Sequence, residues 1–509
     1  MLIKILLLII FFAITITIGL YCRRHATDVN SFVLGGRSVG PWLTAFAYGT
    51  SYFSAVIFVG YAGQFGWKFG IASTWIGIGN AIIGSLLAWV ILGRRTRLMT
   101  QKLSSATMPE FFGARYQSVS LKVIASLIAF IFLIPYTASL YNGLSRLFAM
   151  AFNIDYSICI LIMAVLTCIY VVAGGYMATA INDFIQGIIM LVGIVAVIIA
   201  VLSGHGGFAE ALNKLAAVPA ETPGAYNSFF GPLPLDLLGV VILTSLGTWG
   251  LPQMVQKFYA IKNEKAITKG TIISTVFALI VAGGCYFLGG FGRISGLTEA
   301  DIAKNGFDTI IPAMISKLPD IMIGVVIVLV LSASMSTLSS LVLASSSTLT
   351  LDLIKDNIVK KMSEKLQILI MRIFIAVFIV ISVVLAILQY KSNVTFIAQL
   401  MGISWGALAG AFLAPFIYAL YWKRTTKIAC FCSFFFGAGI MLLNMLFREL
   451  FPTILQSPIN CGAFAMLAGL VIVPLVSLLT PAPKREDVDE MFACYDREVT
   501  VSAKNSLND

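Results

Sequence analysis

The sequence predicts an all-α polytopic membrane protein with about thirteen transmembrane helices. Its 509 residues are 59% hydrophobic and only 11% charged, and the mean hydropathy is +0.95. Soluble domains carry about 25% charged residues, so this composition is typical of a chain embedded in lipid. Two of the hydrophobic stretches also contain helix-breaking residues near their middle, which is a feature of transporters.

Apolar runs close to the roughly 20 residues that a bilayer requires define the predicted helices. They lie near residues 2–21, 41–65, 71–92, 121–150, 156–173, 183–203, 234–256, 270–291, 319–350, 366–388, 394–422, 427–447 and 460–480. The first run is expected to remain as an uncleaved helix. It lacks a small-x-small cleavage site and is followed by Cys22-Arg23-Arg24-His25, unlike a signal peptide.

The second and seventh spans are interrupted by polar residues and helix breakers. The interruptions read Gly49-Thr50-Ser51-Tyr52-Phe53-Ser54 and Gly247-Thr248-Trp249-Gly250-Leu251-Pro252. Pro252 has no N–H, so the carbonyl of Thr248 lacks its helical donor and is available to an ion or a solute. Interrupted spans in corresponding positions of two halves indicate the central site of a transporter.

Spans two to six and spans seven to eleven form two sets of five, which predicts an inverted repeat. Because five is odd, the two sets enter the membrane from opposite sides. The predicted organisation is a peripheral first helix with a cytoplasmic loop (1–40), the first repeat (41–203), an extracellular loop (204–233), the second repeat (234–422), two peripheral helices (423–480) and a cytoplasmic tail (481–509).

The distribution of basic residues predicts the orientation in the cell membrane. Since no eukaryotic targeting signal is visible, that membrane is expected to be the bacterial inner membrane. With the N-terminus outside, nineteen Lys and Arg fall in cytoplasmic connections and eight on the other side, as the positive-inside rule requires. The C-terminus is then cytoplasmic. The net charge of +11 follows from these loops. It predicts no nucleic-acid partner, since a basic patch interleaved with stacking aromatics is absent.

Span nine contains the hydroxyl-rich segment Ser332-Ala333-Ser334-Met335-Ser336-Thr337-Leu338-Ser339-Ser340. Positions 333, 336, 337 and 340 share one helical face, so the Ala333 carbonyl and the Ser336 and Thr337 hydroxyls can converge. Neutral oxygens suit a hard monovalent cation that must later be released. The alternative is that these small residues only allow close helix packing and interhelical hydrogen bonds.

Several motifs together resemble the sodium:solute symporter family, most closely its proline-symporter branch. They are Gly35-Gly36-Arg37-Ser38 with Gly40-Pro41-Trp42, Ala106-Thr107-Met108-Pro109-Glu110-Phe111-Phe112 with Arg115-Tyr116, Gly174-Gly175, Ala178, Asn182-Asp183-Phe184-Ile185-Gln186 and Met335-Ser336-Thr337-Leu338-Ser339. The resemblance runs from Phe32 to about Lys427. It implies a leucine-transporter-like fold with a ten-helix core, in agreement with the repeat argument.

The resemblance implies a sodium site made of five oxygens and no other cofactor. Its ligands would be the carbonyls of Thr50, Phe53 and Ala333 and the hydroxyls of Ser336 and Thr337. Span nine matches the family pattern fully. In span two, Tyr52 takes the position of the family's acidic residue and Phe53 that of its methionine, but the ligands there are carbonyls.

For the solute, the resemblance points to Ser54, Tyr136 and the stretch from Thr244 to Pro252. Ser54, Tyr136 and Pro252 match the proline branch, whereas Thr244 and Thr248 replace its tryptophan and tyrosine. The loss of two rings predicts a pocket whose preferred solute is not proline. Trp249 either supplies a substitute aromatic wall or packs on a neighbouring helix. Gln399 either hydrogen-bonds solute or holds two helices together.

Asp183 admits two interpretations. With Gln186 three residues later it forms an N-terminal capping pattern for span six, and the resemblance places it on the ion exit route. An ionisable group at a membrane helix is often functional.

The leading hypothesis is a sodium-coupled symporter that imports a small organic solute, amino-acid or carboxylate-like, by alternating access. The alternatives are a proton-coupled symporter of the same fold and a membrane sensor built on a transporter core. An enzyme is not predicted, because the chain has only two histidines and scattered cysteines and its spans lack a paired acid and base. The expected partners are the solute, sodium and the lipid bilayer, and no pattern encodes an oligomeric state.

Overall fold

The structure, a computed structural model, describes residues 2–22, 28–152, 154–355, 359, 362–392 and 397–496, and these residues contain helices and no strands. The helices of the first half are α1 (Leu2–Cys22), α2 (Val29–Leu34), α3 (Pro41–Tyr52), α4 (Ala62–Phe69), α5 (Thr74–Gly79), α6 (Arg94–Lys102), α7 (Met108–Arg115), α8 (Val119–Phe152), α9 (Tyr156–Gly204) and α10 (Phe208–Ala216). Those of the second half are α11 (Pro234–Leu246), α12 (Pro252–Ala260), α13 (Glu264–Gly289), α14 (Glu299–Asn305), α15 (Ile310–Ser316), α16 (Asp320–Ser347), α17 (Glu364–Ser392), α18 (Ile397–Tyr421), α19 (Lys427–Leu446), α20 (Pro458–Leu479) and α21 (Arg485–Phe492). Segments of π-helix lie at Val56–Tyr61, Asn80–Leu87, Trp89–Gly93 and Thr348–Lys355.

Within the described ranges, ten helices are long and apolar enough to cross a membrane, and the bent pair α11 and α12 raises this to eleven. The helical stretch Val56–Lys102 counts once in that number although Gly70, with φ of +61°, interrupts it. The helix α3 has 12 residues, and Tyr156–Ile169 is also shorter than the length required. The predicted number of thirteen is therefore not confirmed.

Both predicted interruptions are present. Helix α3 ends at Tyr52, Phe53 is extended with φ −84° and ψ 128°, and helical structure resumes at Val56. Helix α11 continues through a 3-10 turn, Leu251 is extended with φ −88° and ψ 122°, and Pro252 occupies the first turn of α12. The two parts of this second span meet at 47°. Proline suits this position because its missing N–H would have no partner there.

Helix α18 forms the centre of one side of the molecule, between α8, α19 and α20. Glycines permit this close packing. A Cβ atom on Gly437 of α19 would lie 2.2 Å from the carbonyl carbon of Gly410 in α18, and one on Gly406 would lie 2.8 Å from Gly462 of α20. Bulkier residues would force these helices apart.

The glycine-arginine motif near residue 36 ties together the loops at one end of the molecule. The Arg37 guanidinium donates to the Ser105 carbonyl at 2.6 Å and to the Tyr259 carbonyl at 3.3 Å. Val39 pairs with the chain after α12, accepting from Lys262 N at 3.0 Å. The ends of α2, α6 and α12 are thereby held at a fixed distance from one another.

The capping role predicted for Asp183 is wrong. Helix α9 runs from Tyr156 to Gly204, and its only non-helical residue is Gly175 with φ of +59° and ψ of −156°. This backbone conformation favours glycine, and a Cβ there would also lie 2.9 Å from Phe32. The second part of the helix thus begins directly after Gly175, so Asp183 lies well inside it and not at its N-terminus.

Candidate functional site

The five oxygens predicted to bind sodium lie together between the end of α3 and the middle of α16. The Thr337 hydroxyl oxygen is 3.1 Å from the Thr50 carbonyl, 3.2 Å from that of Phe53 and 3.0 Å from that of Ala333. The Ser336 hydroxyl is 3.0 Å from the Thr50 carbonyl and 2.9 Å from that of Ala333. All five residues are buried. We call this group the oxygen cluster.

The break in the second span makes the oxygen cluster possible. Because Phe53 is extended, the backbone leaves the helix there and its carbonyl turns towards α16. The Ser334 hydroxyl of α16 accepts a hydrogen bond from the Ala55 amide at 3.0 Å. Helix α16 therefore holds the break on both sides, and the backbone oxygens that would otherwise satisfy the next helical turn remain available.

A second group of polar atoms lies beside the break, inside a set of aromatic rings. The Tyr52 and Tyr136 rings lie 5.7 Å and 5.8 Å from that of Trp405. Ser54 lies beside the Tyr136 hydroxyl, and Thr244 and Tyr286 lie beside that of Tyr52. We call these residues the aromatic cluster; they are Tyr52, Ser54, Tyr136, Thr244, Tyr286 and Trp405.

Most polar atoms of the aromatic cluster are buried without a partner among the described residues. They are the hydroxyls of Tyr52, Ser54, Tyr136 and Tyr286 and the indole nitrogen of Trp405. Buried polar groups are nearly always hydrogen-bonded, so several such groups in one place indicate a position where a polar molecule binds. Tyr52, Tyr286 and Trp405 are not among the solute residues that the sequence predicts, because an aromatic residue within an apolar span resembles ordinary core.

The polar side chains of the predicted solute residues in span seven are hydrogen-bonded within the protein. The Thr248 hydroxyl is 3.1 Å from the Gly84 carbonyl and 2.9 Å from that of Ser245. The Trp249 indole N–H donates to the Ile83 carbonyl at 2.9 Å. Two roles are predicted for Trp249, and the contact observed corresponds to packing on a neighbouring helix. The Thr244 hydroxyl donates to the Val240 carbonyl at 2.8 Å, and Pro252 starts α12.

Gln399 lies apart from the aromatic cluster. It lines a polar cavity together with Gln64, Lys68, Asp236 and Arg448. Asp236 accepts a hydrogen bond there from the Asn460 amide at 3.1 Å. The structure therefore does not bring Gln399 to the other predicted solute residues.

Asp183 is fully buried, and both its carboxylate oxygens lack a hydrogen-bond partner among the described residues. Its charge interacts with that of Lys257 on α12, which is also buried. The Lys257 ammonium donates to the Ser340 hydroxyl at 3.0 Å and lies 5.1 Å from the Tyr176 ring. Ser340 in turn is 2.8 Å from the Ser51 hydroxyl, next to the oxygen cluster.

The predicted seventh span ends at residue 256 and so places Lys257 in a cytoplasmic connection; this is wrong, because Lys257 lies buried within α12. It follows Pro252 by five residues, which is within one and a half turns of the helix that the proline begins. The position of Pro252 was the signal that could have placed this lysine inside the membrane domain.

Comparison with known proteins shows similarity along most of the chain. Residues 32–437 match the sodium:solute symporter family. The osmoregulated proline transporter OpuE of Bacillus subtilis is 30% identical over 485 residues, 94% of each chain. A sodium/proline symporter of Staphylococcus aureus is 31% identical over 451 residues, 86% of this chain and 85% of that one.

Solved structures show the same fold. A Na⁺-coupled sialic acid symporter in a substrate-bound, outward-open state superposes with a TM-score of 0.76 at 18% identity, over 95% of this chain and 98% of that one. The nucleobase-cation-symport-1 family transporter Mhp1 in a closed conformation gives a TM-score of 0.53 at 14% identity, over 91% and 97% of the two chains. The fold is leucine-transporter-like.

These matches identify a multi-pass membrane transporter and not an enzyme. Its transported species are sodium, as the coupling ion, and a solute. The chain belongs to the sodium:solute symporter family.

Proposed function

We propose that the protein imports a small organic solute that carries a carboxylate, with sodium bound at the oxygen cluster and the solute at the aromatic cluster. The observation that carries this proposal is the convergence of three carbonyls and two hydroxyls from the end of α3 and from α16, with hydroxyl-to-carbonyl distances of 2.9–3.2 Å. These are the same five oxygens that the sequence motifs imply as sodium ligands.

The chemistry of the oxygen cluster favours sodium over a proton. All five atoms are neutral oxygens, so they attract a hard monovalent cation without holding it too tightly to be released. None of these side chains titrates near neutral pH. A proton-coupled mechanism would need a titratable group at this position, and a sensor would need no gradient at all.

The helix ends next to the aromatic cluster favour an anionic group on the solute. The segment that resumes at Val56 and the helix α12 that begins at Pro252 both start beside the breaks. Helix N-termini carry unpaired N–H groups and a positive partial charge, which stabilise a carboxylate. No Lys or Arg occupies either break, so these backbone groups would supply most of the attraction.

The residues around the solute position argue against proline as the preferred substrate. Thr244 and Thr248 replace the two rings of the proline branch, which removes the flat apolar surface that would suit a pyrrolidine ring. Tyr52 and Trp405 supply ring faces from α3 and α18 instead. The named relatives transport proline. A related pocket with a different polarity supports another amino acid or a related carboxylate as the solute of this protein.

The experiment is uptake into proteoliposomes under an inward sodium gradient, with amino acids, short monocarboxylates and sugars tested as competitors at equal concentration. Sodium-dependent accumulation inhibited by carboxylate-bearing compounds supports the proposal. Uptake driven equally by a proton gradient without sodium would favour proton coupling. If proline competes most strongly, the argument against proline as the preferred solute is wrong. If only sugars inhibit uptake, the proposal that the solute carries a carboxylate is wrong.

We further propose that Asp183 lies on the route by which sodium leaves the oxygen cluster. Its buried carboxylate has no hydrogen-bond partner among the described residues. The series Lys257, Ser340 and Ser51 connects its neighbourhood to the residue adjacent to Thr50. A carboxylate that is not engaged by hydrogen bonds would attract a passing cation, and Lys257 would compensate its charge at other times.

The proposed location is a bacterial cell membrane, with the N-terminus outside and the C-terminus in the cytoplasm. The basis is the excess of basic residues in the loops assigned to the cytoplasm, which persists when Lys257 is removed from the count. Arg23, Arg24, Lys360, Lys361 and the last part of the tail, 497–509, lie outside the described residues. Lys4 and Asp320 form a salt bridge at 2.9 Å. This contact agrees with the start of α1 and the start of α16 lying on the same side of the membrane.

A further inference from the structure

A second polar cavity lies at the far end of α8, away from both clusters. It is lined by Arg146 and Asn142 of α8, by Asp308 in the turn before α15, and by Tyr156, Gln389 and Tyr390. Arg146 follows Tyr136 of the aromatic cluster by ten residues on one continuous helix, which corresponds to about 15 Å along its axis. The cavity has a volume of about 160 Å³, so only a small ligand fits.

One wall of this cavity presents a carboxylate. Asp308 is only 3% exposed. Its Oδ2 accepts a weak hydrogen bond from the Ile397 amide at 3.4 Å, whereas Oδ1 has no partner among the described residues. Burial raises the pKa of Asp308 to about 6, and the charge of Arg146 opposes this shift. A buried carboxyl oxygen without a partner would gain from a cationic donor.

The same cavity presents a guanidinium beside a stacked pair of tyrosine rings. Arg146 lies 5.8 Å from the centroids of both Tyr156 and Tyr390, whose rings are stacked at 3.8 Å. The Arg146 Nε is buried without a hydrogen-bond partner among the described residues. Because the guanidinium is equally far from both centroids, it lies beside the stacked pair, and its N–H groups remain available to a planar anion such as a carboxylate.

Arg146 and Asp308 face the same cavity but form no ion pair within 4.0 Å of each other in the described part of the chain. Two opposite charges kept apart, each with an unused hydrogen-bonding atom, match a ligand that carries both charges. A purely anionic ligand would leave Asp308 unpaired, and a purely cationic ligand would leave Arg146 unpaired. Either would be penalised for burying an uncompensated charge.

We propose that this cavity is a second binding site, separate from the aromatic cluster, for a small zwitterion whose ammonium group contacts Asp308 and whose carboxylate contacts Arg146. Asn142 and Gln389 hydrogen-bond to each other, and Asn142 also accepts from the Tyr156 hydroxyl. These contacts hold the cavity wall and the Tyr156 ring in place.

The test is calorimetric titration of the purified full-length protein with three probes of similar size, in choline buffer without sodium. The probes are L-alanine, which carries both charges, propionate, which lacks the ammonium, and ethylamine, which lacks the carboxylate. We expect L-alanine to bind at least tenfold more tightly than either of the others. No binding of L-alanine, or equal affinity for ethylamine or propionate, would overturn the proposal without any variant being needed.

Variants then locate the binding. Asp308→Asn and Arg146→Gln are each expected to weaken L-alanine binding at least tenfold, whereas Glu221→Gln, on an exposed loop residue, leaves it unchanged. Thr337→Ala, which damages the oxygen cluster, is also expected to leave it unchanged. Unaltered L-alanine binding in the Asp308→Asn/Arg146→Gln double variant would refute this site. Because sodium is absent and Thr337→Ala is included, a failure here is distinguishable from a failure of the proposed sodium site.

Discussion

Removal of the Thr337 hydroxyl by Thr337→Ala is expected to impair sodium binding more than Ser336→Ala does, although each variant deletes one of five oxygens. In the intact cluster the Thr337 hydroxyl is within 3.2 Å of three carbonyls, those of Thr50, Phe53 and Ala333. Ser336 contacts only the Thr50 and Ala333 carbonyls. Without Ser336 both of these carbonyls keep a side-chain partner, whereas without Thr337 the Phe53 carbonyl loses its contact with α16.

The magnitude follows from the cost of losing one polar partner in a buried site, about 1–3 kcal/mol. Since about 1.4 kcal/mol is a factor of ten, Thr337→Ala should weaken sodium binding by about 5-fold to 150-fold. Ser336→Ala should fall at the lower end of this range. Thr337→Ser keeps the hydroxyl and should remain close to the wild type. Ser347→Ala is the matched control, because among the described residues the Ser347 hydroxyl bonds only to carbonyls of its own helix, at 2.8 Å and 3.1 Å.

The assay is equilibrium binding of radiolabelled sodium to purified protein, which does not require the solute to be known. Sodium-dependent uptake is measured in parallel. The reasoning is refuted if Thr337→Ala binds sodium as the wild type does, or if Ser336→Ala is the more severe variant while all proteins are equally folded.

The remaining predictions concern the buried charges, the aromatic cluster and the orientation. Asp183→Asn and Lys257→Met should each destabilise the protein, because each leaves one buried charge without the opposite charge. The double variant should recover stability without recovering transport. If transport is recovered as well, the two charges have only a structural role. Trp405→Phe should raise the KM for solute by about 2-fold to 10-fold, through loss of one hydrogen bond worth about 0.5–1.5 kcal/mol, and leave sodium binding intact. Trp249→Phe, the control, should leave KM unchanged, and an equal effect of both would contradict the site. A cysteine at exposed Glu221 should react with an impermeant maleimide in intact cells, unlike one at exposed Glu490, and the reverse pattern would invert the proposed topology.

Local chemistry made several features predictable from the sequence. The breaks follow from Pro252 and from polar residues within apolar runs, and the structure has both. Helix α7 begins as its residues indicate: the Thr107 hydroxyl accepts from the Glu110 amide at 3.1 Å, and proline lies in the first turn. The convergence of Ser336 and Thr337 depends only on helical spacing, which any regular helix obeys.

Other features depend on which surfaces meet, and the sequence does not contain that information directly. Asp183 lies eight residues after Gly175, and each residue alone is consistent with a helix start. In the structure the second part of α9 begins after Gly175, whose positive φ angle places it against Phe32. Trp405 becomes part of the aromatic cluster only because α18 packs against α8 and the break after α3. Nothing in the residues around Trp405 distinguishes it from a core tryptophan.

The geometry of the second span offers a direct route for coupling between ion and solute. Thr50 and Phe53 contribute their carbonyls to the oxygen cluster, while their neighbours Tyr52 and Ser54 belong to the aromatic cluster. Ser51 contacts Ser340, the hydrogen-bond partner of Lys257. A change in backbone angles at Phe53 would therefore move all three groups at once. If sodium fixes the two carbonyls, the hydroxyls of Tyr52 and Ser54 are preorganised for the solute, and the ordering cost of solute binding falls. By linkage the bound solute must then strengthen sodium binding by the same factor. This coupling acts over a distance of no more than one turn of the broken helix.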